Sequence, residues 1–123
     1  MFLGYQNELI AFAAKTKEEL ENLSMVEFTK IEKTNKAVEM VDGVYYIGKE
    51  SINLAKQEKI RKYRNYLLET EIDPIVSNPL RWADMSEEEQ QMYKDYRHYL
   101  LDYTSQSKWW EQNPLTLEEW KNK

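Results

Sequence analysis

The chain has 123 residues, 41% of them apolar, with 22 acidic against 17 basic residues and a formal net charge of −5. That length suits one small domain, or a domain with an appendage, around a modest core. The charge argues against general nucleic-acid or anionic-membrane binding, and the lack of cysteine excludes disulfides and thiolate chemistry.

The N-terminal stretch has no basic leader, and Glu8 interrupts its apolar run, so it reads as neither a signal peptide nor a membrane span. "FLGY" and "ELIAFAA", divided by Gln6 and Asn7, read as two strands of a hairpin. Thr16 and Glu19 have the spacing of a capping box, which starts a short helix over Lys17–Leu23 with Leu20 and Leu23 on one face. "SMVEFTKIEK" alternates in part, as a strand does: Val26, Phe28 and Lys30 on one side, Glu27, Thr29 and Ile31 on the other. Asp42-Gly43 between β-rich runs is a type I′ hairpin signal, setting Val38, Met40 and Val41 against Val44–Ile47, and Gly48 ends the strand.

The period then changes. Ile52, Ala55, Ile60, Tyr63, Tyr66 and Leu67 predict a helix over about Ser51–Glu69. Pro74 and Pro79 in "DPIVSNP" stop it. Ser86 and Glu89 open a second helix after a staple residue, Met85, and its stripe is Met92, Tyr93, Tyr96, Tyr99, Leu100 and Tyr103. The first helix is basic and the second acidic. Exposed ion pairs add only about 0–1 kcal/mol each, so packing has to join them, through Tyr63, Tyr66, Met92 and Tyr96. Thr116 and Glu119 cap a last short helix. The expected fold is α+β: a strand-rich module with one short helix over 1–50, then an antiparallel two-helix hairpin with a Trp/Pro-containing tail over 51–123.

Two phrases recur. "YRNYLLET" at Tyr63 is echoed by "YRHYLLDY" at Tyr96, and "NPL" occurs at Asn78 and again at Asn113. The two intervals differ and only two copies exist, which argues against a helical-repeat array. Two amphipathic helices that meet the same packing problem account for the echo.

Catalytic signals are sparse. The single histidine, His98, has no partner for a zinc cluster or a triad in its neighbourhood of sequence. Glu87–Glu89 read as first-turn acids and Asp73 as a turn residue. The three glycines are scattered, so there is no phosphate loop. Nothing calls for a cofactor or a metal. Lys59, Arg61, Lys62 and Arg64 make a basic, aromatic-flanked cluster, which an adaptor for nucleic acid would use. Trp109-Trp110 is either core or an anchor for a protein partner, since Trp and Tyr dominate interface hot spots.

Residues 58–114 resemble the bacteriophage tail assembly chaperone family, related to the tail fibre assembly proteins. Arg61 and Arg64 match its paired arginines, and Leu67 and Leu68 its leucines. Pro74 and Pro79 match its linker, and Met85 with Ser86 its second start. Tyr96, Arg97 and Leu100 match its core phrase, and Trp110 and Pro114 its tail. Glu71-Ile72 replaces an acidic-tryptophan exit, a ring that Trp82 would supply, and the tail continues into "LTLEEW". The resemblance implies a cofactor-free factor that helps a tail or tail-fibre protein fold or join the virion in the host cytoplasm. Its partner-binding candidates are Arg61, Arg64, Trp82, Tyr96, Arg97, Trp109 and Trp110, and weak self-association is compatible with it. The alternatives are a structural tail component of the virion and a small acid-dependent hydrolase.

Overall fold

The computed structural model describes residues 1–23 and 26–123. The fold is α+β, with small antiparallel sheets first and helices after them. It divides into two compact units, Met1–Lys56 and Gln57–Lys123.

In the first unit, β1 (Phe2–Gln6) is the central strand of a three-stranded sheet, between β2 (Leu9–Ala14) and β3 (Lys30–Lys33). Both pairings are antiparallel. Asn7, at φ 60°, makes the β1–β2 turn. The register shifts after Gly4↔Phe12 to Tyr5↔Ile10, so Ala11 is bulged out. The bulge is why "LIAFAA" does not alternate cleanly. The ring of Phe28 lies on Gly4, and a Cβ there would stand 2.5 Å from it. That close approach is what requires glycine at this position.

Helix α1 (Lys17–Glu21) starts at Thr16, whose hydroxyl accepts from the Glu19 amide, and it packs on β1 and β2 with Leu20 buried. The expected strand from "SMVEFTKIEK" is shorter than the alternation suggests. Ser24 and Met25 lie outside the described residues, Val26–Thr29 are not strand, and β3 begins at Lys30. Phe28 is used as a cover for Gly4 and an edge-to-face partner of Phe12, with centroids 5.9 Å apart. A separate hairpin joins β4 (Val38–Val41) and β5 (Val44–Ile47). Asp42 and Gly43, at φ 52° and 78°, supply the two positive φ values of a type I′ turn. Gly48 then accepts from the Ile52 amide as the chain enters α2.

Helix α2 runs over Lys49–Leu67. It does not stop where the prolines suggest. It widens into a π-helical segment, Leu68–Ile72, and resumes as α3 (Asp73–Val76). Pro74 has no N–H for the carbonyl of Thr70, so the ladder cannot continue in α register. The Asp73 amide reaches back five residues to the Leu68 carbonyl instead. The wider turn also brings Leu67 and Ile72, five apart, into one core. In an α-helix these two would diverge by roughly 140°. The expected exit at Glu71-Ile72 is therefore helical, and so is much of the linker.

Helix α4 (Pro79–Ala83) is capped by Asn78, whose side chain accepts from the Arg81 amide, with Pro79 in its first turn. Helix α5 (Glu87–Asp102) starts at Ser86, whose hydroxyl accepts from the Glu89 amide. It pairs with α2 in a hairpin-like arrangement. The tail holds a 3-10 turn at Trp109–Glu111 and α6 (Leu117–Lys121), which has both halves of the capping box between Thr116 and Glu119.

The main core of the second unit is Leu67, Ile72, Tyr93, Tyr96, Leu100 and Leu117, with Tyr63, Met85, Met92 and Trp120 packed against it. Three of the four expected seam residues are in place. Tyr66 is not: it is 59% exposed and leans on Tyr63 at 6.4 Å. A second cluster joins Ile60, Tyr103 and Trp109. Together these two clusters show that the join is apolar, as the weakness of surface ion pairs requires.

Candidate interaction surface

The face of α2 that turns inward carries Ile60, Tyr63 and Leu67, and this orientation fixes where its arginines stand. At roughly 100° per residue, Arg61 and Arg64 share one flank of the helix, about 60° apart. Lys59 and Lys62 share another. The four cations of the basic cluster are therefore two pairs, not one strip. Lys62 is engaged with Glu58 one turn back, at 3.4 Å.

Arg61 is exposed and its guanidinium carbon lies 5.1 Å from the centroid of the Trp109 ring. Such a cation–π contact at a wet site contributes about 0.5–1 kcal/mol. Trp109 is 8% exposed, held by Ile60 and Tyr103, so it is core on one side and a platform for Arg61 on the other. Trp110 stands edge-on to it at 5.8 Å and is half-buried. The Nε1–H of Trp110 is buried without an acceptor among the described residues. An unmet buried donor costs about 1–3 kcal/mol and calls for an explanation. Arg64, half-buried, donates from Nε and Nη2 to Asn65 Oδ1 at 3.3 and 3.1 Å.

The remaining candidates lie elsewhere. Trp82 packs half-buried against the main core, and its carbonyl accepts from Gln90 Nε2. Arg97 is exposed on α5. Tyr96 is fully buried, with no surface to offer a partner. Its hydroxyl donates to the Leu115 carbonyl at 2.8 Å, while the Leu115 amide donates to the Tyr99 hydroxyl at 2.9 Å. Burial, with Glu71 as the next contribution, pushes the Tyr96 hydroxyl well above the ordinary phenol range. Burial raises Tyr103 as well, and its hydroxyl donates to the Gln112 carbonyl. Tyr96 and Tyr103 as donors and Tyr99 as acceptor fasten the tail to α5 and its C-terminal end.

Of the seven residues singled out by sequence, the structure brings together Arg61, Trp109 and Trp110, with Arg64 one turn along from Arg61. Leu80 and Leu101 are exposed apolar side chains that the sequence does not mark, and Tyr66, expected in the seam, is exposed as well, because exposure depends on the rotation of each helix in its packing. A shallow hollow of about 380 Å³ is lined by Glu71, Thr116, Leu117, Glu118 and Lys121. Asp73 and His98, both exposed, are not among its lining residues. Among the described residues no three His, Asp or Glu side chains gather as a metal site, and no helix is long and apolar enough to cross a membrane.

No protein-family model matches this chain, and neither does any curated protein or solved structure. The functional reading therefore rests on the residues and on the resemblance they carry.

Proposed function

We propose that this chain is a non-enzymatic, protein-binding assembly factor for a bacteriophage tail or tail fibre, acting in the host cytoplasm. One observation carries the reading. The paired-arginine helix at the start of the resembling segment and the tryptophan tail at its end meet in space, with Arg61 on the face of Trp109. An arginine-edged aromatic surface is the composition that protein interfaces favour. Arg61 rests on the Trp109 ring and Arg64 donates to the Asn65 amide, both neutral groups, which leaves each guanidinium able to take an acidic partner.

Co-expression of the chain with the product of each neighbouring gene tests the proposal. A tail or fibre protein should be retained by the chain, or made soluble by it. If none is, the assembly reading fails. Mass spectrometry of purified particles then separates two roles: absence from the particle fits a chaperone, and stoichiometric presence fits a structural subunit.

A further inference from the structure

We infer that the Arg61–Arg64 flank of α2, beside Trp109 and Trp110, is a docking site for an acidic protein segment that presents a carboxylate next to an apolar side chain. The inference rests on the protein-binding reading above, not on the particular assembly the chain serves.

The argument begins with charge. The stretch Gln57–Arg64 holds four cations and one acid in a chain whose net charge is −5. Helical geometry divides those cations into two pairs on different flanks. Of the two pairs, Lys62 is bridged to Glu58, while Arg61 rests on a ring and Arg64 on a neutral amide. Among the described residues, the contacts of the arginine pair, Trp109 and Asn65, are neutral and leave its charge uncompensated. Two guanidinium groups one turn apart present forked donors, and those match the two oxygens of a carboxylate.

Trp110, half-buried, contributes the apolar half of the site, while Trp109, fixed by Ile60 and Tyr103, serves to hold Arg61 in place. The Nε1–H of Trp110 has no acceptor among the described residues, so a carboxylate that reached it on binding would satisfy a donor the fold leaves unmet. A nucleic-acid strand is the poorer fit. It needs a track of cations along its backbone, whereas one flank of α2 presents two, on an acidic chain.

The test uses the full chain and three fluorescent probes: a short peptide alternating Glu and Leu, its Gln–Leu counterpart, and an oligothymidylate of the same charge as the first. Fluorescence anisotropy should show binding of the Glu–Leu peptide, weakened about tenfold or more in Arg61→Gln and in Arg64→Gln, and weakened by moderate salt. Arg81→Gln, on α4, should bind as the unaltered chain does. Arg61→Lys, which keeps the charge and loses the fork, should fall between. Circular dichroism of each variant confirms that it is folded. The inference is overturned if the Glu–Leu peptide does not bind, if the Gln–Leu peptide binds equally well, if oligothymidylate binds more tightly, or if the folded arginine variants lose nothing. A tail protein that is retained equally by Arg61→Gln would sink this site and leave the assembly reading standing. Peptide binding of the expected pattern with no tail protein retained would do the reverse.

Discussion

The hydroxyl of Tyr96 donates to the carbonyl of Leu115 across 19 residues of chain, at 2.8 Å, from a side chain that water does not reach. This bond and the reciprocal one from the Leu115 amide to Tyr99 hold the tail against α5. Tyr96→Phe keeps the ring and strands the carbonyl, so it should lower stability by about 1–3 kcal/mol. Tyr96→Ala, which also opens a cavity, should cost more, about 3–5 kcal/mol by analogy with other buried aromatics. Urea unfolding of both variants checks the order.

The same phenol predicts a response to alkali. Its pKa in the folded chain is raised above that of an unfolded tyrosine, mainly by burial. The unfolded chain therefore releases this proton first as pH climbs past about 10, and the fold loses stability from there upward. Below that pH the contribution is fully present. Tyr103 is raised in the same direction and adds to the effect. In Tyr96→Phe the fall in melting temperature between pH 9 and pH 11 should be shallower than in the unaltered chain.

Gly4 gives a prediction for the first unit. A methyl group at this position would meet the Phe28 ring at 2.5–2.9 Å. Gly4→Ala should destabilise by about 1–3 kcal/mol through overpacking. Phe28→Leu in the same chain should recover part of that loss, because the obstacle is the ring. Thermal unfolding of the two variants and the double variant measures the coupling.

Local chemistry was legible in the sequence wherever a few neighbouring residues decide the geometry. Asp42-Gly43 gave its turn, and Thr16, Ser86 and Thr116 gave their caps, because each needs only its own short-range partners. What depended on tertiary packing was not legible. Asn78 and Asn113 open the same "NPL" phrase, yet Asn78 caps α4, while the second copy places a buried Pro114 before Leu115, whose amide and carbonyl go to two tyrosines. The π turn required knowing that both Leu67 and Ile72 are core. Of the candidate site, the Arg61–Trp109 contact joins residues 48 apart, which no local spacing encodes. Sequence leaves the Trp109-Trp110 pair as either core or anchor, and packing by Ile60 and Tyr103 puts Trp109 in the core while leaving one face to Arg61.

The capping box of α6 is open to a direct test. Thr116 accepts from the Glu119 amide and Glu119 returns a carboxylate oxygen to the Thr116 amide. The Thr116 amide, and next its side chain, hold the Glu119 carboxyl below the usual range. Thr116→Ala should cost about 1 kcal/mol and loosen the end of the tail first, read as faster amide exchange over Leu117–Lys121. The contribution of Glu119 is present above the ordinary carboxylate pKa and is lost as pH falls through its lowered folded value, so exchange there should quicken on acidification.

The echo of "YR-YLL" has a physical basis that mutation can isolate. Its two copies place Leu67 and Leu100 at equivalent positions, and both are buried in one cluster. The flanking positions have parted: Leu68 packs on that cluster, whereas Leu101 is 41% exposed, and Tyr66 lies in water where Tyr99 packs on the core. If shared packing is the reason for the repetition, Leu67→Ala and Leu100→Ala should each cost about 2–5 kcal/mol. Both shrink the same cluster, so their effects should couple by roughly 0.5–3 kcal/mol instead of adding. Leu101→Ala should stay within about 0.5 kcal/mol, as an exposed position does. Chemical unfolding of the two single variants and the double variant gives the coupling. Strict additivity would mean that the leucines stabilise separate parts of the unit, and the echo would lose its explanation in a common core.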